Sequence, residues 1–122
     1  MNILFLDDDQ TRHNYIKKLV PIEHYVCHVY TASECIEMLE TKNWDMVFLD
    51  HDLGGQVFVD SGEGTGYQVA EWLEQNPERQ PAKMFIHSFN PVGARNMHNC
   101  IPKAIIKPIS IVYQEFGEII NS

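Results

Sequence analysis

The sequence predicts an α/β fold, a parallel five-stranded sheet with helices on both faces. Short apolar runs alternate five times with segments of helical periodicity, the pattern of repeated strand–helix units. The apolar runs are continuous, as expected of strands covered on both sides. At 122 residues the chain is long enough for one core and too short for two, so residues 1–122 are read as one domain.

Each element follows in turn. "NILFL" (2–6) reads as a buried strand, and "TRHNYIKKLV" as a helix stopped by Pro21, with Tyr15, Ile16, Leu19 and Val20 on one face. "YVCHVY" (25–30) is a second strand. "TASECIEMLE" carries a capping box, Thr31 with Glu34, ahead of the stripe Ala32, Cys35, Ile36 and Leu39. "DMVFLD" (45–50) is the third strand. A loop over 54–66 holds five of the seven glycines. "GYQVAEWLEQN" then has Val69, Trp72 and Leu73 at helical spacing, ending at Pro77. "KMFIHS" (83–88) is the fourth strand. In "NPVGARNMHNCI", Asn90 is placed as an N-cap and Pro91 at the first helical position. "KAIIK" (103–107) is the last strand, and "SIVYQEFGEII" a last helix weakened by Gly117. The economical strand order is flavodoxin-like, 2-1-3-4-5, which places a ligand site beyond the carboxyl ends of the strands near the β1/β3 switch point.

Composition narrows the function classes. The formal charge of −8 argues against binding duplex nucleic acid, which relies on clustered Lys and Arg. It leaves room for a single nucleotide or an RNA end. No stretch approaches the roughly 20 apolar residues of a membrane span, and "MNILFLDDD" lacks the basic start of a signal peptide. Cys27, Cys35 and Cys100 are odd in number and widely spaced, which fits a reducing cytoplasm better than a disulfide framework or a zinc site. A cytoplasmic location is expected.

The chemistry collects at the strand ends. Strand 1 ends in Asp7, Asp8 and Asp9, and strand 3 in Asp50, His51 and Asp52. Strand 4 ends in His87 and Ser88, and strand 5 in Lys107 and Pro108. With strands 1 and 3 adjacent, several carboxylates share one volume. Two like charges about 4 Å apart repel by roughly 4 kcal/mol at an effective dielectric near 20. Such a cluster either raises some carboxylate pKa values or holds a cation. Oxygen ligands favour Mg²⁺, and Mn²⁺ if histidines join. Asp9 alone is equally well explained as the N-cap of the first helix.

"ILFLDDD", "VFLD", "IHS" and "IIKP" resemble, in order, the signature positions of response-regulator receiver domains (CheY-like). "LDD", "LDHDLG", "TGYQVAEWL" and "HSFNPVGARNM" are similar to the cyclic-phosphate-processing receiver-like family. The resemblance implies that Asp7, Asp8, Asp50 and the backbone carbonyl of Asp52 hold Mg²⁺, with Asp50 as phosphoacceptor. It implies that Ser88 and Lys107 bind phosphoryl oxygens and that the Lys107–Pro108 peptide is cis. The second family implies a substrate with a cyclic phosphate, at an RNA end or on a nucleotide-derived molecule. The chain departs from ordinary receivers in "DHDLGG", in the long loop 54–66 and in His87 directly before Ser88.

On this reading His51 and His87 serve as acid and base, roles that imidazoles commonly fill. For each a bland role remains open: His51 bonding a nearby backbone group, His87 facing away from Ser88. His13, His24, His28 and His98 read as surface residues. The free N–H groups after Asn90 offer an anion cradle, and Arg95 is either a second phosphate contact or a solvated helix residue. Thr65, Gly66 and Tyr67 either close over a ligand, Tyr67 on a base, or form part of a surface insertion.

Three functions are compatible with these residues. The first is a metal-dependent phosphoesterase or cyclic-phosphate hydrolase acting on a phosphorylated small molecule or RNA end. The second is a receiver switch phosphorylated on Asp50 by a histidine kinase or small phosphodonor. The third is a phosphate-binding module without turnover.

Overall fold

The computed structural model describes residues 1–55 and 58–121. Five parallel strands, β1 (Asn2–Leu6), β2 (Tyr25–Val29), β3 (Met46–Leu49), β4 (Lys83–Ile86) and β5 (Ile105–Ile106), form one sheet in the order 2-1-3-4-5. The helices are α1 (Gln10–Leu19), α2 (Ala32–Thr41), α3 (Gly66–Gln75), α4 (Pro91–Cys100) and α5 (Ile109–Asn121). None of them is long and apolar enough to cross a membrane.

The continuous apolar runs have the expected cause. Successive strand residues face opposite sides of a sheet, and both sides are covered. Leu4, Leu6, Val47, Leu49, Met84 and Ile86 join a core with residues of α2, α3 and α4. Ile3, Phe5, Met46, Phe48 and Phe85 join a second core with residues of α1 and α5. The register Leu6↔Leu49 and Leu49↔Ile86 brings the ends of β1, β3 and β4 level with one another.

The helix starts carry the capping chemistry read from the sequence. Asp9 caps α1 through the Thr11 N–H at 2.8 Å. Thr31 and Glu34 form the reciprocal capping box of α2. Asn90 caps α4 through the Gly93 N–H at 3.0 Å, with Pro91 in the first turn.

Two expectations are corrected. The last strand covers only Ile105–Ile106 rather than 103–107, because β5 lies at the sheet edge and pairs with β4 alone. His13 is fully buried rather than on the surface. It occupies the inward face of α1, where its Nε2 donates to the Asp7 carbonyl at 2.7 Å and its Nδ1 lies 2.6 Å from His28 Nδ1.

Candidate active site

Asp7 and Asp50 leave the sheet as neighbours. The Asp50 N–H donates to the Leu6 carbonyl, and the next strand places His87 by a bond from its N–H to the Leu49 carbonyl. The two-residue period settles which side chains meet. Asp7 continues the Ile3–Phe5 face, Asp50 the Met46–Phe48 face and His87 the Phe85 face, so all three point to the α1/α5 side. His51 and Ser88 carry the opposite parity.

The three residues are buried and joined. His87 Nε2 donates to Asp7 Oδ2 at 2.9 Å, and its ring stacks on Phe5 with centroids 5.0 Å apart. Asp7 also accepts the Asp9 N–H at 2.9 Å. Arg12, projecting from the first turn of α1, places Nη1 3.1 Å from Asp7 Oδ1 and 3.5 Å from Asp50 Oδ2. The sequence reading passed over Arg12. Its signal was positional: a residue three beyond the Asp9 N-cap lies on the helix turn nearest the strand ends.

These contacts sort the two carboxyls. Burial raises the Asp50 pKa to about 7, and the Asp7 charge adds to the shift, against the opposing pull of His87 and Arg12. Burial also penalises the Asp7 charge, but the His87 hydrogen bond, the Asp9 N–H and Arg12 outweigh it and hold that carboxyl below its usual range. Asp7 is therefore an ionised anchor, and Asp50 exchanges its proton near neutrality.

Above Asp50 lies a cavity of about 680 Å³, lined in part by Asp8, Asp9, Arg12, Asp52, Phe58 and Phe89. The motif "DHDLGG" shapes its wall. Asp8 accepts the Gly55 N–H at 2.6 Å, and Gly54 and Gly55 both take the left-handed backbone conformation that glycine adopts without strain. Asp52 Oδ2 accepts the Phe58 N–H at 2.6 Å, and its Oδ1 takes bonds from His51 Nδ1 at 2.7 Å and Asn90 Nδ2 at 3.1 Å. With its proton on Nδ1, His51 presents Nε2 to the Ser61 hydroxyl at 2.9 Å. Gly66 and Gly93 provide clearance. A Cβ on Gly66 would sit 1.8 Å from the Asp50 carbonyl oxygen, and one on Gly93 2.5 Å from the His51 ring.

Asp8, Asp50 and Asp52 thus line one space, and Asp7 and His87 lie buried beside Asp50. His51 is buried away from the cavity lining and fastens the loop. Ser88 accepts the Asn90 N–H at 3.0 Å and does not line the cavity. The Asn90 side chain is committed to the loop and the helix cap. Lys107 differs from expectation: its ammonium pairs with Glu115 on α5, and the Lys107–Pro108 peptide is trans rather than cis. An available carboxylate one helix away holds Lys107, and Arg12 stands where a cation was expected. Thr65 caps α3. Tyr67 lines a separate cavity with Cys100, and Arg95 is exposed. Within the expected loop 54–66, Gln56 and Val57 lie outside the described residues.

The donor set suits a divalent ion. Asp7, Asp50 and His87 can each offer one ligand atom, all within 4.8 Å of one another. The carboxylates of Asp8 and Asp52 also hold backbone N–H groups of the loop. Two buried carboxylates here face a single guanidinium. Two oxygens with an imidazole fit Mn²⁺ as well as Mg²⁺.

Solved receiver structures share this architecture. The phosphorylated cyanobacterial phytochrome response regulator RcpA superposes with a TM-score of 0.75 at 16% identity, over 97% of this chain and 89% of that one. TrrA from Thermotoga maritima, in complex with Mg²⁺ and BeF, gives 0.70 at 18% identity, over 98% and 96%. The Mn²⁺-bound response regulator Rcp1 gives 0.68 at 14% identity, over 97% and 90%. No curated protein matches the sequence. The model of the cyclic-phosphate processing receiver domain matches residues 2–103, and on that match the chain belongs to this family of receiver-fold proteins.

Proposed function

We propose that the cavity over Asp50 opens or hydrolyses cyclic or terminal phosphates on RNA ends or nucleotide-derived molecules. The observation that carries this reading is the size and lining of the space. A phosphoacceptor needs room for one phosphoryl group, whereas about 680 Å³ lies within the range of small-molecule sites. Family membership supports the substrate class.

In this mechanism Arg12 neutralises the non-bridging oxygens of the phosphate as charge builds on them. Asp50, which lines the cavity, takes a proton from the attacking water. The ring P–O bond breaks, and the same carboxyl returns its proton to the departing ribose oxygen. Asp7, held by His87, keeps Arg12 aimed at the phosphate. A Mg²⁺ or Mn²⁺ ion held by Asp7, Asp50 and His87 would add Lewis-acid stabilisation when bound. His51 acts on this reading through Asp52 as a positioning residue.

A second reading is a switch in which Asp50 itself attacks a phosphodonor, supplied by a kinase or a small molecule. The phosphorylated RcpA and BeF-bound TrrA structures favour it as receiver-fold precedents. One pair of incubations separates the two. With Mg²⁺ or Mn²⁺, 2′,3′-cyclic nucleotides are expected to be opened by the wild-type protein and not by Asp50→Asn. A stable adduct from acetyl phosphate or beryllofluoride, with no turnover of cyclic phosphate, would assign the switch.

A further inference from the structure

Phe58 and Phe89 are 67% and 59% exposed. Singly exposed apolar residues are ordinary on a protein surface, but these two line the same cavity above Asp50. Each is also held in place. Phe58 adopts φ +52°, a left-handed conformation that bulky side chains avoid and that persists where surrounding contacts enforce it. The enforcing contacts are its own N–H on Asp52, the Val59 carbonyl on Asn90 Nδ2 at 3.1 Å, and Ser61 Oγ between His51 and Asn96. Phe89 precedes the Asn90 cap, and the Arg12 guanidinium lies 5.2 Å from its ring centroid. One aromatic face therefore adjoins the cation assigned to the phosphate.

We infer that Phe58 and Phe89 form a stacking site for the base of the substrate, which is a nucleoside bearing a single cyclic or terminal phosphate. This rests on the phosphate-processing reading above and specifies its substrate. Aromatic faces bind bases of any sequence by stacking. The surrounding carboxylates of Asp8, Asp9 and Asp52 disfavour an acyl chain and suit the N–H groups on a base edge. The same carboxylates, in a chain of charge −8, repel additional phosphates, so polyphosphates and the body of a duplex are disfavoured. A base must be free of its own stack to enter, which restricts the source to a mononucleotide or a single-stranded end.

The test compares adenosine 2′,3′-cyclic phosphate with the base-free methyl riboside 2′,3′-cyclic phosphate. Affinity is read by calorimetry, or as KM where the ligand is consumed. Wild-type protein is expected to prefer the nucleotide by roughly tenfold. Phe58→Ala and Phe89→Ala are each expected to lower affinity for the nucleotide more than for the base-free ligand, and so to shrink that preference. A single-stranded hexanucleotide ending in a 2′,3′-cyclic phosphate binding as well as the mononucleotide assigns RNA ends as the source, and its exclusion assigns free nucleotides. Equal affinity for the two small ligands overturns the stacking site and leaves the phosphate reading intact. A base preference that survives the double Phe→Ala variant overturns it too. Binding of unphosphorylated adenosine that depends on the two phenylalanines, without binding of the base-free ligand, would keep the stacking site and sink the phosphate reading. Binding of none of these probes overturns both.

Discussion

Arg12 Nη1 lies 3.5 Å from Asp50 Oδ2, while Lys107, the cation that receiver signatures place beside the aspartate, pairs with Glu115. The positive charge at the site thus comes from the first helix rather than from the last strand. Arg12→Ala is expected to lower kcat/KM for a 2′,3′-cyclic nucleotide by about 10²-fold, the scale for losing one oxyanion-stabilising donor. Arg12→Lys should recover only part, since an ammonium lacks the guanidinium fork. Lys107→Ala should cost much less, and a loss equal to that of Arg12→Ala would return Lys107 to the chemistry.

The pH dependence of stability carries two opposing contributions. The Asp50 carboxyl has a folded pKa of about 7 against 3.8 for the free group, so the folded state binds the extra proton between those values. Stability attributable to Asp50 is full below about pH 4 and declines as pH rises toward 7. The His28 imidazole runs the other way. Burial, with His13 alongside, lowers it to about 4 from 6.5, so its contribution is complete above pH 6.5 and is lost as pH falls toward 4. Asp50→Asn removes the first contribution. In metal-free denaturant titrations it should be more stable than wild type at pH 8, by an amount on the order of a few kcal/mol, with the gap closing by pH 4. An Asn variant less stable than wild type at pH 8 would contradict the buried-charge assignment.

Divalent ions should act on the same charge. Mn²⁺ or Mg²⁺ is expected to raise the wild-type Tm at pH 8, by about 2.7 kcal/mol of stabilisation at a concentration 100 times Kd. The shift should vanish in Asp50→Asn and weaken in His87→Gln. It should persist in Asp52→Asn, because the Asp52 oxygens hold Phe58, His51 and Asn90. Loss of the metal response in Asp52→Asn would place its carboxylate, and not only its backbone carbonyl, in the ligand set.

His51 is expected to behave as a positioning residue. His51→Ala removes the bonds to Asp52 and Ser61, and hydrogen exchange of residues 58–61 should accelerate well beyond that of the sheet. Catalysis should lose more in KM than in kcat, because the cavity wall loosens while Asp50 and Arg12 stay in place. A His51→Ala protein with unchanged KM and a collapsed kcat would make the imidazole a direct acid or base.

Close backbone approach makes two glycines sensitive. Gly93→Ala presses a methyl group toward the His51 ring, and overpacking of this kind costs about 1–3 kcal/mol, measurable by urea denaturation. Gly66→Ala meets the Asp50 carbonyl oxygen, a backbone atom with less freedom to move. It should cost more, and a neutral Gly66→Ala would show that this turn relaxes.

Much of the architecture was legible along the chain. Strand–helix alternation, the Thr31–Glu34 box and the Asn90–Pro91 start depend on local pattern and local hydrogen bonds, which residues a few positions apart can satisfy by themselves. Gathering Asp7 and Asp50 also required only strand order, and strand parity extends to His87. The destinations of the long and buried side chains were decided in three dimensions. Lys107 finds Glu115 on α5, Arg12 reaches two strand ends at once, and His13 is buried although Asn14 and Tyr15 beside it are exposed. His51 likewise turns under Gly93 and fastens a wall that local pattern describes only as rich in glycine. Periodicity records which face of an element is covered, whereas a charged or imidazole group goes to the partner that packing brings within about 3 Å. Here that difference separates a receiver fold readable from the residues from an active-site lining that emerges only when the chain is folded.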